Sequence, residues 1–331
     1  MFRNSCLALF GILMALMLGV AGCGGGQPEQ ASVRLALDWF PNANHAGLYT
    51  AVERGYFEDE GLEVEIYTPS DPASILQTVA SGADDFGINY QPDLLLARAE
   101  GVPVVSVAAL VQHPLNSVQT LKAAEITRPS HLAGKTVGYP GIPINQPLLE
   151  TMLKFDGVSG GLDEVELVNV GFALSEALIS EQVDACIGCY FSYESIKMEN
   201  EGFPVEVLRM EQWGVPDFYE LVVVTNETTL AERAGVVERF VKAVVRGYEE
   251  AANDPGRAVD VLVSLVGEDD IDEAIDRPGA EILAPLWKDD GTPVGWQTSD
   301  KWTGFAQWMY DNGIIDEPLD GNEAFTNEFV E

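Results

Sequence analysis

The chain has 331 residues, 47% of them hydrophobic, with 53 acidic against 18 basic residues and a formal net charge of −35. This length allows roughly two domains or one large one, and the apolar content is ample for real cores. The charge argues against nucleic acid or an anionic membrane surface as a partner held by charge attraction. Because the acidic residues are scattered, we interpret them as a surface adaptation, for example to a salty medium, and not as a disordered tail.

The amino terminus has the pattern of a targeting segment. An apolar run, Cys6 to Val20, follows the basic Arg3 and has the dimensions of a signal-peptide core. Small residues precede Cys23 and glycines follow it, which resembles a bacterial lipobox. We therefore expect a signal peptide over residues 1–22, lipid on the Cys23 thiol and a flexible tether over residues 23–32. An ordinary secretory signal with a chance cysteine is the alternative.

The stretch Val33 to Phe57 predicts a short apolar strand, a polar aromatic turn and a helix from about Ala46. Open α/β sheets bind ligands at the carboxyl ends of their strands, and a helix begins with free N–H groups at the same place. A solvated loop with a core tryptophan is the plainer interpretation. The turn offers one stacking face with several donors and acceptors: Asp38, Trp39, Asn42, Asn44 and His45.

The next strand ends repeat this polar aromatic pattern. Residues 62–67 alternate as a strand, and residues 85–89 form a short apolar strand that exits into Asn89 and Tyr90, ahead of a helix capped by Pro92. Residues 101–110 form a continuous β-branched run, which is typical of a strand buried on both faces. The order of strands and helices predicts one doubly wound half.

A second cycle begins near Leu132. A glycine-proline run that contains Gly141 joins its first strand to an amphipathic helix. The run matches neither a Walker loop nor a dinucleotide fingerprint, so it either presents backbone N–H groups to a ligand oxygen or is a plain turn. The apolar strand over residues 183–187 exits toward Tyr190 and Glu194.

Cys186 and Cys189 stand in a CxxC spacing on that last strand. A zinc site would need further cysteines or histidines, and the three histidines are scattered. A redox pair would sit at a helix amino terminus. Packed free thiols and a local disulfide both remain open.

The carboxyl-terminal third starts with a strand over residues 221–225 and a long helix from Ala231 to Ala252. Helical spacing places several aromatic and apolar residues of the helix Trp302–Met309 on one face. We interpret that face as part of the core and not as a cofactor site.

Five collinear stretches carry a family resemblance: LDWFPNANHAGLYTAVERGYFEDEGLEVEI, SGADDFGINYQPDLLLARAEGVPVVSVAAL, LAGKTVGYPG, VDACIG and LVVVTNE. They resemble the NMT-type solute-binding lipoproteins, in particular those that capture thiamine pyrimidine precursors for an ABC importer. The resemblance covers nearly the whole mature chain, from about Val33 to Val330.

The resemblance implies an α/β, type II periplasmic-binding-protein fold with two Rossmann-like lobes, a central cleft and two crossovers. We expect the crossovers near Ser117–Lys122 and Glu220–Thr225. Residues 33–120 with 221–331 would form the first lobe and residues 121–220 the second. The implied protein is a monomer, lipid-anchored on the extracytoplasmic face of the cell membrane, that works with a permease and an ATPase and needs no metal or cofactor.

Eukaryotic pyrimidine synthases share the opening motif and the fold, but they carry a CCCFC iron motif that this chain lacks. Their lysine and histidine align with Asn89 and Asp93, and without a lysine amine no Schiff base forms there. We therefore expect a binder, not an enzyme. Riboflavin or another flavin-like heterocycle is the alternative ligand, and small sulfonates rank third because the motif loops offer carboxylates and no arginine.

A planar heteroaromatic ligand needs aromatic faces and in-plane hydrogen bonds. On this basis we predict that three aromatic side chains sandwich the ring and that polar groups bond to its nitrogens. The predicted ligand-binding residues are Asp38, Trp39, His45, Asn89, Tyr90, Gly141, Tyr190 and Glu194.

Overall fold

The computed structural model describes residues 30–289 and 291–330, which form two lobes, each around a five-stranded mixed sheet. The predicted signal peptide, Cys23 and residues 24–29 of the tether lie outside the described residues. Within the described ranges, none of the helices is long and apolar enough to cross a membrane. The strands are β1 (Ala31–Ala36), β2 (Leu62–Tyr67), β3 (Phe86–Asn89), β4 (Val104–Val111), β5 (Asn116–Leu121), β6 (Thr136–Tyr139), β7 (Glu166–Asn169), β8 (Ala185–Tyr190), β9 (Val205–Arg209) and β10 (Leu221–Asn226).

Helices cover both sheets. They are α1 (Ala46–Glu53), α2 (Tyr56–Asp59), α3 (Ile75–Ala80), α4 (Gln91–Ala99), α5 (Asn145–Phe155), α6 (Leu174–Ile179), α7 (Glu194–Asn200), α8 (Glu227–Glu232), α9 (Ala234–Asn253), α10 (Pro255–Val266), α11 (Glu273–Leu283) and α12 (Ser299–Asp311). The predicted helix Ala231–Ala252 is thus two helices, because Arg233 leaves helical geometry between α8 and α9.

The first lobe is built on the sheet with strand order β2-β1-β3-β10-β4. β1 runs parallel to β2 and β3, and β10 runs antiparallel to β3 and β4. Every residue of β4 is buried, as its continuous apolar run predicted. α1 packs against α9 at glycine positions, and a Cβ on Gly247 would meet the Gly47 carbonyl oxygen at 2.2 Å. This close approach fixes the start of α1, and therefore the loop after β1.

The second lobe is built on the sheet with strand order β7-β6-β8-β5-β9. β6 runs parallel to β7 and β8, whereas β5 runs antiparallel to β8 and β9. The carboxyl ends of β6 and β8 therefore lie at one edge of this sheet, as those of β1 and β3 do in the first lobe.

The chain passes between the lobes twice. The first crossing is residues 112–115, between β4 and β5, and the second is residues 210–220, between β9 and β10. The predicted crossing near Ser117–Lys122 overlaps β5, which pairs within the second sheet, and the one near Glu220–Thr225 overlaps β10. The exact residue limits of the lobes stay a prediction.

Candidate ligand-binding site

A cavity lies between the lobes, where the carboxyl ends of strands from both sheets face each other. The first lobe contributes the residues that follow β1 and β3, and the second contributes the residues that follow β6 together with the end of β8. The start of β5 and the second crossing complete the wall. The lining residues are Asp38, Trp39, Asn42, Tyr90, Pro92, Asn116, Pro140, Ile142, Ile144, Asn145, Leu148, Gly188, Tyr190, Tyr193, Glu194, Phe218 and Glu220.

Asp38 is held in place from both sides. The Tyr90 hydroxyl donates to Oδ2 at 3.0 Å, and His45 Nε2 lies 2.9 Å from Oδ1. The Asn42 backbone N–H donates to His45 Nδ1 at 3.3 Å, so Nδ1 is an acceptor and Nε2 carries the proton that bonds to Asp38. His45 is therefore a positioning residue behind the carboxylate, and it does not line the cavity.

Trp39 closes the outer edge of the cavity. Its ring packs edge-on against Phe172 with centroids 4.5 Å apart, and Phe40 contacts the same ring at 4.6 Å. Phe172 belongs to the second lobe, in the loop between β7 and α6. We call Trp39, Phe40 and Phe172 the aromatic clasp, because the three rings join the two lobes at the mouth of the cleft.

Tyr190 and Glu194 form the facing wall in the second lobe. The Glu194 carboxylate accepts a hydrogen bond from the Tyr190 backbone N–H at 2.7 Å, and burial raises the pKa of Glu194 to about 7. Upstream on β8, Cys186 and Cys189 form a disulfide, which settles the alternative that the sequence left open. Gly188 lies between the two cysteines with φ +94°, and a Cβ there would meet the Pro140 ring at 2.8 Å.

Glu220 forms the inner end of the cavity together with the Tyr190 ring. One Glu220 oxygen accepts the backbone N–H groups of Leu115, at the end of the first crossing, and of Asn116, at the start of β5. Burial raises the pKa of this carboxyl to about 7, and the Asp38 charge adds to the rise. Next to it, the Asn116 amide donates to the Asn145 side chain at 2.9 Å.

Five of the eight predicted site residues line the cavity: Asp38, Trp39, Tyr90, Tyr190 and Glu194. His45 acts through Asp38. Asn89 lies one residue behind the wall, where its side chain accepts the Tyr90 backbone N–H at 2.8 Å. Gly141 has φ +88° and faces the Asn169 side chain, so its neighbours Pro140 and Ile142 reach the cavity in its place.

Glu220, Asn116, Asn145 and Tyr193 were not predicted. Asn116 is the first residue of β5, a strand without a continuous apolar run, and Glu220 directly precedes the strand β10. That position, a carboxylate next to a buried strand, is the signal that would have found Glu220.

The charges of the cavity are all of one sign. Its wall contains the carboxyl groups of Asp38, Glu194 and Glu220, and no lysine, arginine or histidine among the described residues lines it. Such a wall favours ligands that donate hydrogen bonds or carry positive charge, and it opposes phosphate or sulfonate groups. In the described ranges, no cluster of three or more histidine, cysteine or acidic side chains is placed to hold a metal ion.

Solved structures share this architecture. The Candida albicans CA3427 gene product, described as having the generic periplasmic binding protein structural fold, aligns with a TM-score of 0.68 at 16% identity, over 90% of this chain and 96% of that one. This likeness confirms the predicted periplasmic-binding-protein fold.

The sequence is similar to named proteins over most of its length. It is 35% identical to a formylaminopyrimidine-binding protein of Halalkalibacterium halodurans, over 95% of this chain and 98% of that protein. It is 27% identical to the riboflavin-binding protein RibY of Chloroflexus aurantiacus, over 92% and 87% of the two chains. A 4-amino-5-hydroxymethyl-2-methylpyrimidine phosphate synthase of Legionella pneumophila is 24% identical, over 91% and 93%. The family model described as NMT1/THI5 like matches residues 42–258. These matches, together with the two lobes around one cleft, show that the chain belongs to the NMT1/THI5-like family.

Proposed function

We propose that this protein is the solute-binding component of an ABC importer and captures a thiamine pyrimidine precursor of the formylaminopyrimidine or hydroxymethylpyrimidine type. The observation that carries the proposal is the cavity between the lobes, which combines aromatic faces with carboxylates and has no basic lining residue among those described. The relative with 35% identity, named for binding formylaminopyrimidine, supports the same ligand class.

The cavity suits a small planar ring that carries amino groups. Trp39 and Tyr90 stand on the first lobe and Tyr190 on the second, so closure of the lobes places aromatic faces on both sides of the ligand. Asp38 and Glu194 offer acceptors for amine hydrogens. Polar groups placed in this way reject analogues that lack a matching partner far more strongly than an apolar wall does.

The two lobes contact each other directly. The clasp rings touch, and the Asn200 side chain of α7 donates to the Ala274 backbone oxygen of α11 at 3.0 Å, another contact between the lobes. A ligand must therefore enter through an open form, and closure would bury it.

We further propose that the protein is a lipoprotein. The apolar run before Cys23, the small residues next to it and the glycines after it support cleavage and lipidation at this cysteine. The body would then be held as a monomer at the extracytoplasmic face of the cell membrane, where it delivers ligand to the permease and ATPase.

Riboflavin is the second candidate ligand, because a relative named for binding riboflavin covers most of the chain. Its lower identity, 27% against 35%, favours the pyrimidine. A synthase activity is disfavoured because no lysine among the described residues lines the cavity. The sequence resemblance also implies that Asn89 and Asp93 stand where the synthases have their lysine and histidine.

A thermal-shift screen of residues 27–331 tests the proposal with formylaminopyrimidine, hydroxymethylpyrimidine, thiamine, riboflavin and taurine. A ligand that binds only the folded state adds about 2.7 kcal/mol to its stability at a hundredfold excess over Kd. We expect a shift with the pyrimidines. A shift with riboflavin alone would mean that the protein is a binding protein whose ligand is riboflavin and not a pyrimidine. A shift with none of the five compounds would contradict the proposed ligand class.

A further inference from the structure

Glu220 connects the cavity to both crossings between the lobes. It ends the second crossing, and its side chain is 2% exposed. Its Oε2 accepts the backbone N–H of Leu115 at 2.6 Å and of Asn116 at 2.9 Å, at the end of the first crossing and the start of β5. These two bonds hold one oxygen of the carboxyl group, and the other oxygen is left for the cavity that Glu220 lines.

Beside Glu220 lies a hydrogen-bond donor without an acceptor. The Tyr190 hydroxyl is buried and approaches the Glu220 carboxyl, but it makes no hydrogen bond of ordinary distance and angle to any of the described residues. Burial raises its pKa well above the ordinary value for tyrosine, and the nearby charges of Glu220 and Asp38 raise it further, so the hydroxyl keeps its proton. A buried donor that lacks a partner is unfavourable, and a ligand acceptor at this place would satisfy it.

We propose that Glu220 is a specificity-determining residue that selects a ligand with an amine next to a basic ring nitrogen. The free Glu220 oxygen accepts a hydrogen from this edge of the ligand, and the Tyr190 hydroxyl donates to an acceptor beside it. This inference rests on the proposed function and names the part of the ligand that the inner end of the cavity recognises.

The charges near Glu220 determine which ligands the inner end of the cavity excludes. Asp38 and Glu194 line the same cavity, and no basic side chain among the described lining residues offsets them. A phosphate ester of the same ring would bring its negative charge next to these carboxylates. The site thus takes the unphosphorylated heterocycle and rejects its phosphate.

The contact between the ligand and Glu220 also connects a bound ligand to both lobes. A ligand atom bonded to the free Glu220 oxygen is linked through Oε2 to the first crossing, and through the backbone of Glu220 to the second. Tyr190 comes from the second lobe. Binding at this one point therefore favours the closed arrangement of the two crossings.

The test is a double-mutant-type cycle, in which the binding affinity is compared between protein variants and between ligand analogues. Calorimetry measures Kd for hydroxymethylpyrimidine, for the desamino isostere that keeps the ring nitrogens, methyl and hydroxymethyl groups but carries a hydrogen in place of the amine, and for the phosphate ester. The proteins are the wild type, Glu220→Gln and Glu249→Gln. Glutamine keeps a carbonyl oxygen for the two backbone N–H groups, and Glu249 is an exposed residue of α9 outside the site.

In the wild type we expect the isostere and the phosphate ester each to bind at least about tenfold more weakly than the pyrimidine. Glu220→Gln should weaken pyrimidine binding by about tenfold and change isostere binding by less than about twofold. Glu249→Gln should match the wild type.

Two outcomes overturn the inference and can be told apart. If the wild type binds no pyrimidine, the proposed function fails and this inference with it. If the wild type binds the pyrimidine but does not discriminate against the isostere, or if Glu220→Gln keeps both affinity and discrimination, the inference alone fails. The wild-type comparison decides the matter even where Glu220→Gln does not fold.

Discussion

At the scale of single residues, the cavity depends on side chains that line it and on others that orient those. Asp38 has both oxygens engaged, one by Tyr90 and one by His45, so its direction is fixed before any ligand arrives. Trp39 and Tyr190 supply faces from opposite lobes. We therefore expect substitutions of the lining residues and of the orienting residues to have different effects.

Removal of either aromatic face should weaken ligand binding without unfolding the protein. We expect Trp39→Ala and Tyr190→Ala each to raise the Kd for hydroxymethylpyrimidine by about tenfold or more, because each loses a stacking surface. Calorimetry gives the Kd and circular dichroism confirms the fold. Trp296→Ala, at a half-exposed tryptophan outside the cavity, is the control. Affinities equal to the wild type in both variants would refute the sandwich.

His45 should affect binding although it does not line the cavity. His45→Ala leaves Asp38 Oδ1 without its donor, and an unpartnered buried polar group costs about 1–3 kcal/mol. We expect a lower Tm and a weaker Kd, and we expect Asp38→Asn to remove most of the further effect of His45→Ala in a double variant. Fully additive losses in Kd would show that His45 acts independently of Asp38.

At the scale of elements, the aromatic clasp joins a loop of the first lobe to a loop of the second. Aromatic pairs contribute about 0.5–1.5 kcal/mol beyond their buried area. Phe172→Ala should therefore raise the dissociation rate of a bound pyrimidine by about threefold to tenfold and leave the association rate nearly unchanged. Stopped-flow fluorescence measures both rates.

The control for the clasp is Phe155→Ala, since Phe155 is 64% exposed on α5 and lies outside the cavity. An unchanged dissociation rate in Phe172→Ala, or an equal change in Phe155→Ala, would contradict a role for the clasp in holding the closed form.

The sequence predicted the elements that have a strong local pattern. The parallel strands β1, β3 and β8 are mostly apolar and lead into polar aromatic turns, and β6 leads into a glycine-proline run, which identifies these strands and the residues at their carboxyl ends. β5 and β9 mix polar and apolar residues and pair antiparallel across the second sheet, so no local pattern marks them. They gain their stability from neighbours that are distant in sequence.

The site residues were predictable where they belong to strands with such a local pattern. Trp39, Tyr90 and Tyr190 follow or end strands that the pattern finds. Asn116 reaches the cavity because the first crossing places the start of β5 beside it, which is a property of the tertiary structure, whereas Glu220 has the local signal of a carboxylate next to a buried strand. The period of a strand likewise cannot tell whether Asn89 or its neighbour Tyr90 faces the ligand when both faces are buried.

At the scale of the whole molecule, buried carboxyl groups make stability depend on pH. Burial raises the pKa of Asp93, Glu194 and Glu220 to about 7 and that of Asp276 to about 6. Below the pKa of the unfolded chain these groups are neutral in both states. As pH rises toward the folded pKa, the unfolded state loses its proton first, so the free energy of unfolding falls.

We therefore expect the Tm of the ligand-free protein to fall between about pH 4 and about pH 7. Glu220→Gln should be about as stable as the wild type near the low end and more stable near the high end, because glutamine carries no charge to bury. Thermal unfolding at constant ionic strength checks this, with Glu249→Gln as the control for loss of one surface charge. Parallel pH profiles for the wild type and Glu220→Gln would contradict the assignment of this dependence to Glu220.

The most direct test of the proposed function is a calorimetric titration of the unlipidated protein with formylaminopyrimidine, followed by riboflavin as a competitor. We expect one site per chain with a Kd of about 1 μM or tighter, corresponding to roughly −8.2 kcal/mol, and no displacement by riboflavin. Absence of heat with the pyrimidine, together with tight binding of riboflavin, would contradict the pyrimidine assignment and leave a binding protein of the same fold for a different heterocycle.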